Sequence, residues 1–176
     1  SKVKEGKHAV IVGGGYIGLE TAAALRKQGM DVTVLEMMER VLQRVTAPEI
    51  SEFYDRVHKE EGVKICCGVG VASFAGNTNV EKVICSNGDE YAADLVVVGV
   101  GIVPNVELAD AAGLEVNNGI VVDQFARTSD HDIVAAGDCT NHHNVLYDIN
   151  IRLESVQNAT DQARVAAQTL CGKEKA

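Results

Sequence analysis

Tryptophan is absent from the 176 residues, and aromatic residues make up only 4% of them. A core without large rings must be aliphatic, built from Val, Ile, Leu and Ala, and that suits parallel strands covered by helices on both faces. There are two prolines and no long polar tract, so the composition is not that of a disordered chain. A basic footprint is also missing. The net charge is −9, and neither the total nor any local run offers what nucleic acid requires. Acidity of this size serves solubility, and total charge alone does not establish steering of a charged partner. No stretch reaches the roughly 18 apolar residues that span a bilayer. The opening Ser1-Lys2-Val3-Lys4-Glu5 lacks the apolar segment of a secretory signal. No membrane association is therefore expected. The five cysteines, at 66, 67, 85, 139 and 171, form no C-x-x-C or C-x₄-C pair. That excludes a dithiol redox centre of the usual spacing and argues against a disulfide framework, so a reducing cytoplasm is the simplest location.

What remains is an ordinary globular composition, with 46% apolar and 23% charged residues, long enough for one domain or one domain plus a fragment. His8–Val12 is a short apolar run closed by Gly13-Gly14-Gly15, which reads as a buried strand entering a tight turn. Residues 16–28 carry Ile17, Leu19, Ala22, Ala23, Ala24 and Leu25 at helical spacing, and Gly29 ends that helix. Asp31–Glu36 is the next strand. Pro48 opens a second helix, which residues 49–61 extend until Gly62 stops it. Residues 63–67, 69–74 and 80–85 read as short strands, the last followed by the hairpin signal Asn87-Gly88. Residues 93–98 form a central strand that ends at Gly99-Val100-Gly101. A second pattern begins near Gly119, with strands at 120–123 and 133–136 and a helix at 154–170. That helix places Val156, Ala159, Ala163, Ala166, Ala167 and Leu170 on its buried side, and Gly172 closes it before a tail over 173–176. Two strands and one helix cannot bury one another fully, so this piece must lean on the first domain or on further sequence. The expected fold class is α/β: a Rossmann-like domain with a central parallel sheet and a small antiparallel excursion, followed by a partial second domain.

Gly13-Gly14-Gly15-Tyr16-Ile17-Gly18 fits G-x-G-x-x-G directly after a strand and at a helix start. Gly13 permits the tight turn, Gly15 lets the backbone approach a diphosphate, and Gly18 lets the helix lie against the strand. Unpaired N–H groups and the helix dipole would hold the phosphates. The glycine pattern alone is weak, because a turn of purely structural use looks the same. Here a second strand follows the helix and ends in Glu36, 18 residues beyond Gly18, where a carboxylate takes both hydroxyls of an adenosine ribose. A 2′-phosphate would face that carboxylate at close range, so NADH is expected over NADPH. Arg40 and Arg44 dilute the preference, since either could swing to meet a phosphate.

Further strings are uninformative on composition alone: VIVGGGYIGLE (10–20), RVLQRVTAPEISEFY (40–54), GVGIVPNVELADAAGLEVNNGIVVD (99–123), TSDHDIVAAGDC (128–139) and RLESVQNATDQARVAAQTLCGK (152–173). Taken in this order, over nearly the whole chain, they resemble the FAD-containing, NADH-dependent ferredoxin reductases of bacterial oxygenase systems. These are of the putidaredoxin reductase and rhodocoxin reductase kind, within the pyridine nucleotide-disulfide oxidoreductase superfamily. The resemblance implies a nicotinamide domain inserted into an FAD domain, with residues 1–117 in the former and 118–176 in the returning part of the latter. It implies that Glu20 lies near the nicotinamide end, Arg44 near the adenosine end, and Gly99 and Gly101 along the bound cofactor. Asp138 would hold the flavin's ribityl–pyrophosphate region, while Ser155, Val156 and Gln157 would lie beside the isoalloxazine ring. The dipole of the 155–170 helix would then stabilise negative charge on the reduced ring. Without the family, Asp138 reads equally well as a turn acid.

The resemblance also implies the reaction, in which hydride passes from NADH to FAD and electrons then leave singly to a small iron–sulfur protein. Hydride transfer asks for distance and orientation rather than an acid or base, and no nucleophile–base arrangement stands out. His8, His58 and His131 read as surface or structural residues. Asn141-His142-His143-Asn144 reads as a polar loop rather than a metal site, and Cys66-Cys67 as a buried pair of small residues. Departures from the pattern matter. The family's opening glycine motif for FAD adenosine and its C-terminal β-rich domain have no counterpart here. The chain is thus expected to be a middle portion that binds NADH, holds FAD weakly or not at all, and is inactive without the rest of the FAD domain. Ile149-Asn150 replaces an Arg-Trp of the putidaredoxin reductase type, and Asn141 replaces an Arg that faces the acidic partner; both leave the acceptor open. Rivals are an FAD reductase serving rubredoxin or oxygen, and a redox-silent NAD-binding module.

Overall fold

The computed structural model describes residues 3–173, and the chain divides into two units between Gly101 and Ile102. In the first, β1 (His8–Val12), α1 (Tyr16–Lys27), β2 (Asp31–Glu36), α2 (Pro48–Glu60) and β3 (Lys64–Cys67) follow one another. A three-stranded excursion comes next, β4 (Val71–Ala75), β5 (Lys82–Cys85) and β6 (Glu90–Ala92), and β7 (Leu95–Val98) returns to the main sheet. The parallel sheet has the order β3-β2-β1-β7. Val12 pairs with Leu35 on one side and Val98 on the other, so β1, β2 and β7 end level and release their loops at one edge. That edge is where open α/β sheets bind ligands.

Strand periodicity sorts the core. Ala9, Ile11, Val32, Val34 and Ile65 enter one cluster with Leu19, Ala22 and Leu25 of α1. Val10 and Leu35 enter the other, with Val83, Cys85 and Ala93. Helices therefore cover one face and the antiparallel sheet covers the other, which corrects the expectation of helices on both. Three short strands, bent back by hairpin turns, do the same work of exclusion. Cys66 and Cys67 are half-buried rather than buried, and adjacent strand residues separate them: Cys67 packs on the first cluster and Cys66 on the second. Both long helices of this unit end as the sequence predicts. Gly29 (φ +79°) donates to Arg26 O and Met30 to Leu25 O; Gly62 (φ +85°) donates to Lys59 O and Val63 to His58 O. This is the paired bonding of a Schellman stop, which favours a residue without Cβ.

The second unit contains α3 (Glu107–Ala111), β8 (Ile120–Val122), β9 (Thr140–Asn144), β10 (Ile149–Ile151) and α4 (Val156–Leu170), with sheet order β10-β9-β8. Two expectations fail here. Residues 133–136 make a single bridge, Arg127 with Val134, and no strand. The polar segment 141–144 is no loop but most of β9, paired in parallel with β8 and antiparallel with β10. Backbone pairing to apolar neighbours on both sides overrides the poor strand propensity of Asn and His. The buried side of α4 also differs. Ala166 and Thr169 are its buried residues, while Val156 and Leu170 are 86% and 66% exposed. Gln162 and Thr169 bond the loops beneath, and the helix's apolar stripe lies away from them. Gly172 closes the helix as expected, and of the tail only Lys173 lies within the described residues. Among the described residues, no helix is long and apolar enough to cross a membrane.

Candidate functional site

The glycine turn sits on the edge where β1, β2 and β7 end. Gly13 adopts φ +109° and donates to Leu35 O at 2.8 Å. A Cβ there would overlap the carbonyl of Gly99, whose own N–H donates to Val12 O at 2.8 Å. The loop after β7 thus lies directly on the turn. A Cβ on Gly18 would overlap Gly13 O, so Gly18 is the close-packing glycine between helix and strand. Gly15 differs from both, because nothing lies within 4 Å of a Cβ built on it. It serves as N-cap of α1 without a side-chain cap. Leu19 N–H is the first to bond back, to Gly15 O at 3.0 Å. Among the described residues, no acceptor takes the N–H groups of Gly15, Tyr16, Ile17 or Gly18. Four orphan donors with a helix dipole behind them make an anion site.

Glu36 closes this site. Its Oε2 accepts from Gly14 N–H at 2.6 Å and its Oε1 from Met38 N–H at 2.8 Å. The carboxylate is therefore fixed at the glycine turn by two backbone donors. An ionised carboxylate can accept about four hydrogen bonds, which leaves capacity for two hydroxyls. Gly14, not assigned a role from sequence, supplies one of these clamps, and a Cβ on it would lie 3.1 Å from Oε2. Arg40 is not free to meet a phosphate. Its guanidinium donates to Thr46 O at 3.1 Å, to Gln43 O at 3.3 Å and to Ser51 Oγ. Ser51 is 1% exposed and donates in turn to Val41 O at 2.6 Å. This knot shapes the segment after β2, and Pro48 and Glu49 gave no hint of it. Arg44 lies exposed on the same segment.

The remaining residues of the first unit are placed but not gathered by contacts. Tyr16 and Ile17 are exposed on the first turn of α1, and Glu20 is exposed one turn on. Gly101 is exposed with φ +112°. His58 is structural, with its ring nitrogens at Tyr54 O and Leu19 O, so it ties α2 to α1. Burial pushes Cys67 up, with Asp55 and Glu36 adding to the effect, and burial likewise pushes Cys85 up. Tyr91 is pushed up to about 12, first by its hydrogen bond to Cys66.

In the second unit, Asp138 is exposed on a turn whose backbone is gripped from two sides. Arg152 Nη1 donates to Asp138 O at 3.2 Å, and Gly137 N–H donates to Gln162 Oε1 at 2.7 Å. Ser155 caps α4, its Oγ accepting from Asn158 N–H at 3.1 Å, and leaves Val156 and Gln157 exposed on the first turn. Asn141 does not face solvent: it is 6% exposed and donates to Asn117 O. Burial holds His142 below its ordinary value. Gln162 carried no sequence signal, being one polar residue in a polar helix.

The residues present fit an adenine dinucleotide at the first turn, through donors without acceptors and a carboxylate with lone pairs to spare. Asp138 and the N-terminus of α4 supply the acceptor and dipole that part of a flavin nucleotide would meet. Comparison with known proteins points the same way. Putidaredoxin reductase CamA of Pseudomonas putida is 52% identical over 167 residues, covering 93% of this chain and 40% of that protein. Rhodocoxin reductase of Rhodococcus erythropolis is 47% identical over 164 residues, covering 93% of this chain and 38% of that one. The solved covalent putidaredoxin reductase–putidaredoxin complex superposes with a TM-score of 0.95 at 49% identity, over 98% of this chain and 42% of that one. The chain thus spans about two fifths of the length of these relatives. The profile of the pyridine nucleotide-disulphide oxidoreductases matches residues 1–163, nearly the whole sequence. This chain belongs to the pyridine nucleotide-disulphide oxidoreductase family.

Proposed function

We propose that this chain is the NADH-binding portion of a flavoprotein reductase, one that passes electrons from NADH through FAD to a small iron–sulfur protein of an oxygenase system. The observation that carries this reading is the Glu36 carboxylate held at the glycine turn by Gly14 and Met38, beside four N–H groups with no acceptor among the described residues. The N–H groups bind the diphosphate; Glu36 takes the ribose hydroxyls and repels a 2′-phosphate. At 4 Å that repulsion is about 1–4 kcal/mol per unit charge in surroundings between water and a protein surface, a preference of roughly fivefold to several hundredfold. Arg40 cannot offset it while Thr46, Gln43 and Ser51 hold its guanidinium. Tyr16, Ile17, Glu20, Arg44, Gly99 and Gly101 line the path of the cofactor in this reading.

Residues 1–117 form the nicotinamide domain and 118–176 part of the FAD domain. There Asp138 holds hydroxyls of the ribityl–pyrophosphate region, and Val156 opens the helix beside the ring. The outward apolar stripe of α4 supports a role for this segment in a larger domain. Bound FAD supplies the conversion of a two-electron hydride donor into single electrons for the iron–sulfur acceptor. The similarity to putidaredoxin reductase and rhodocoxin reductase favours this route over disulfide reduction. Unpaired cysteines fit a cytoplasmic location.

Calorimetric titration of the chain with NADH and then NADPH tests the nucleotide reading. NADH binds at least about fivefold more tightly; equal affinities end it. The acceptor is tested in the full-length polypeptide that carries these residues, by following NADH-driven bleaching of a small [2Fe–2S] protein and of rubredoxin. Reduction of rubredoxin alone ends the [2Fe–2S] ferredoxin assignment.

A further inference from the structure

Gln162, half-buried in α4, meets four groups of the second unit through one amide. Its Oε1 accepts from Gly137 N–H at 2.7 Å, faces Thr140 Oγ1 at 2.8 Å and receives Asn158 Nδ2 at 3.4 Å. Its Nε2 stands 3.1 Å from His142 Nδ1. The amide cannot be turned over. Gly137 N–H is a backbone donor whose role is fixed, so the atom facing it must be oxygen, and the atom facing His142 must be the NH₂. An NH₂ group only donates, so His142 Nδ1 must be unprotonated and the ring must carry its single proton on Nε2. Burial of the imidazole favours the same neutral form, and its register partners Val122 and Ile151 are apolar. Thr140 is fully buried, and its hydroxyl lies 2.8 Å from Gly137 O as well as from Gln162. Gly137, at φ +89°, packs on Ala159, 3.5 Å from the position a Cβ would take. The turn is thus gripped by α4 and β9 together, while the Asp138 carboxylate stays exposed.

We propose that Gln162 is a positioning residue, which pins the turn presenting Asp138 to the flavin and locks that turn to the neutral, Nε2-protonated ring of His142. The proposal rests on the flavin reading of Asp138. Gln162 would touch no cofactor atom; its effect passes through Gly137 and Thr140 to the carboxylate, and through His142 to the centre of the sheet.

Nitrogen-15 NMR of the histidine rings in the 176-residue chain is the first test. The wild type shows His142 Nδ1 as a bare acceptor nitrogen and Nε2 protonated. Gln162→Glu keeps an oxygen toward Gly137 but replaces the NH₂ with a second oxygen, so Nδ1 becomes protonated. Gln162→Leu removes the acceptor of Gly137 N–H, and exchange of that amide speeds up about tenfold; in the Glu variant it stays near the wild-type rate. A protonated Nδ1 in the wild type, an unchanged ring in the Glu variant, or equal Gly137 exchange in the Leu variant overturns the proposal. FAD affinity in the full-length polypeptide separates the two layers. Gln162→Leu weakens FAD binding about tenfold while Gln162→Glu retains most of it; equal affinities in the two variants defeat the proposal. If Asp138→Asn binds FAD as tightly as the wild type, the flavin reading is what falls, whatever the ring nitrogens report.

Discussion

Two glycines two residues apart should fail in opposite ways when given a methyl group. Gly13 is held at φ +109°, and its Cβ would overlap Gly99 O. An L-residue in that backbone region is strained by about 1–2 kcal/mol, and forcing a methyl into close-packed backbone adds about 1–3 kcal/mol. Gly13→Ala therefore loses about 2–5 kcal/mol, which for a chain of this length lowers the melting temperature by roughly 5–20 °C. Gly15 has φ −79° and ψ −175°, ordinary extended values, and open space where the methyl would go. Alanine at an N-cap costs about 1 kcal/mol, or a few degrees. That open space, however, is where a diphosphate would meet the free N–H groups. Displacing it from one charge-assisted bond costs about 1.5–3 kcal/mol, roughly 10- to 100-fold in NADH affinity. Thermal unfolding by circular dichroism and calorimetric NADH titration of both variants separate the effects. If Gly15→Ala binds NADH like the wild type, the backbone at this helix start is not the phosphate cradle. If both variants melt alike, the division between a structural and a ligand-facing glycine is wrong.

Other consequences follow from single side chains. Glu36→Gln turns an NH₂ toward either Gly14 or Met38 N–H, so it loses about 1–3 kcal/mol of stability; NADH affinity falls at least tenfold by titration while NADPH falls less, and an unchanged NADH-to-NADPH ratio refutes the ribose assignment. Ser51→Ala leaves Val41 O and the Arg40 guanidinium short of a partner in a buried knot. Urea unfolding should show about 1–3 kcal/mol lost, and a loss below about 0.5 kcal/mol would mean that the knot is ornamental. His142 is held below its ordinary value of 6.5 by burial. Between its folded and unfolded values the unfolded chain binds the extra proton, so stability rises with pH there. The contribution is complete above about pH 6.5 and is lost as pH falls toward the folded value. Unfolding midpoints between about pH 7.5 and 5.5 should therefore fall in the wild type and fall less in His142→Leu, and parallel slopes would refute the assignment.

The first unit was legible because its signals are local. A strand that ends in glycines, a helix that starts on them and a strand that closes with Glu36 each announce themselves within a few residues. The Schellman stops at Gly29 and Gly62 follow from the one residue without a Cβ. What the sequence hid was reciprocal: Glu36 is held by Gly14 and Met38, and Arg40 by Ser51, and neither pairing has a spacing rule. The second face of the sheet was hidden for a similar reason, since three short strands bury a surface as well as a helix does, and composition counts only the apolar residues.

The second unit misled because its decisive contacts are polar and non-local. Residues 133–136 have strand-like side chains but only one bridging partner, whereas Thr140–Asn144 has poor strand residues and a neighbour on each side. Pairing decides. In α4 the alanines at helical spacing suggested a buried stripe, yet the helix is seated by Gln162 and Thr169, whose hydrogen bonds to Gly137, Thr140 and Phe125 have no apolar substitute. A buried polar group left without a partner costs about 1–3 kcal/mol, which holds Gln162 and Thr169 against the loops beneath. Gln162 and Thr169 therefore face inward, and Ala163 and Ala167 lie outward. Hydrophobic periodicity marks an apolar stripe but not what covers it: side-chain amides seat α4 on its own unit, and the stripe lies where a larger domain would meet it.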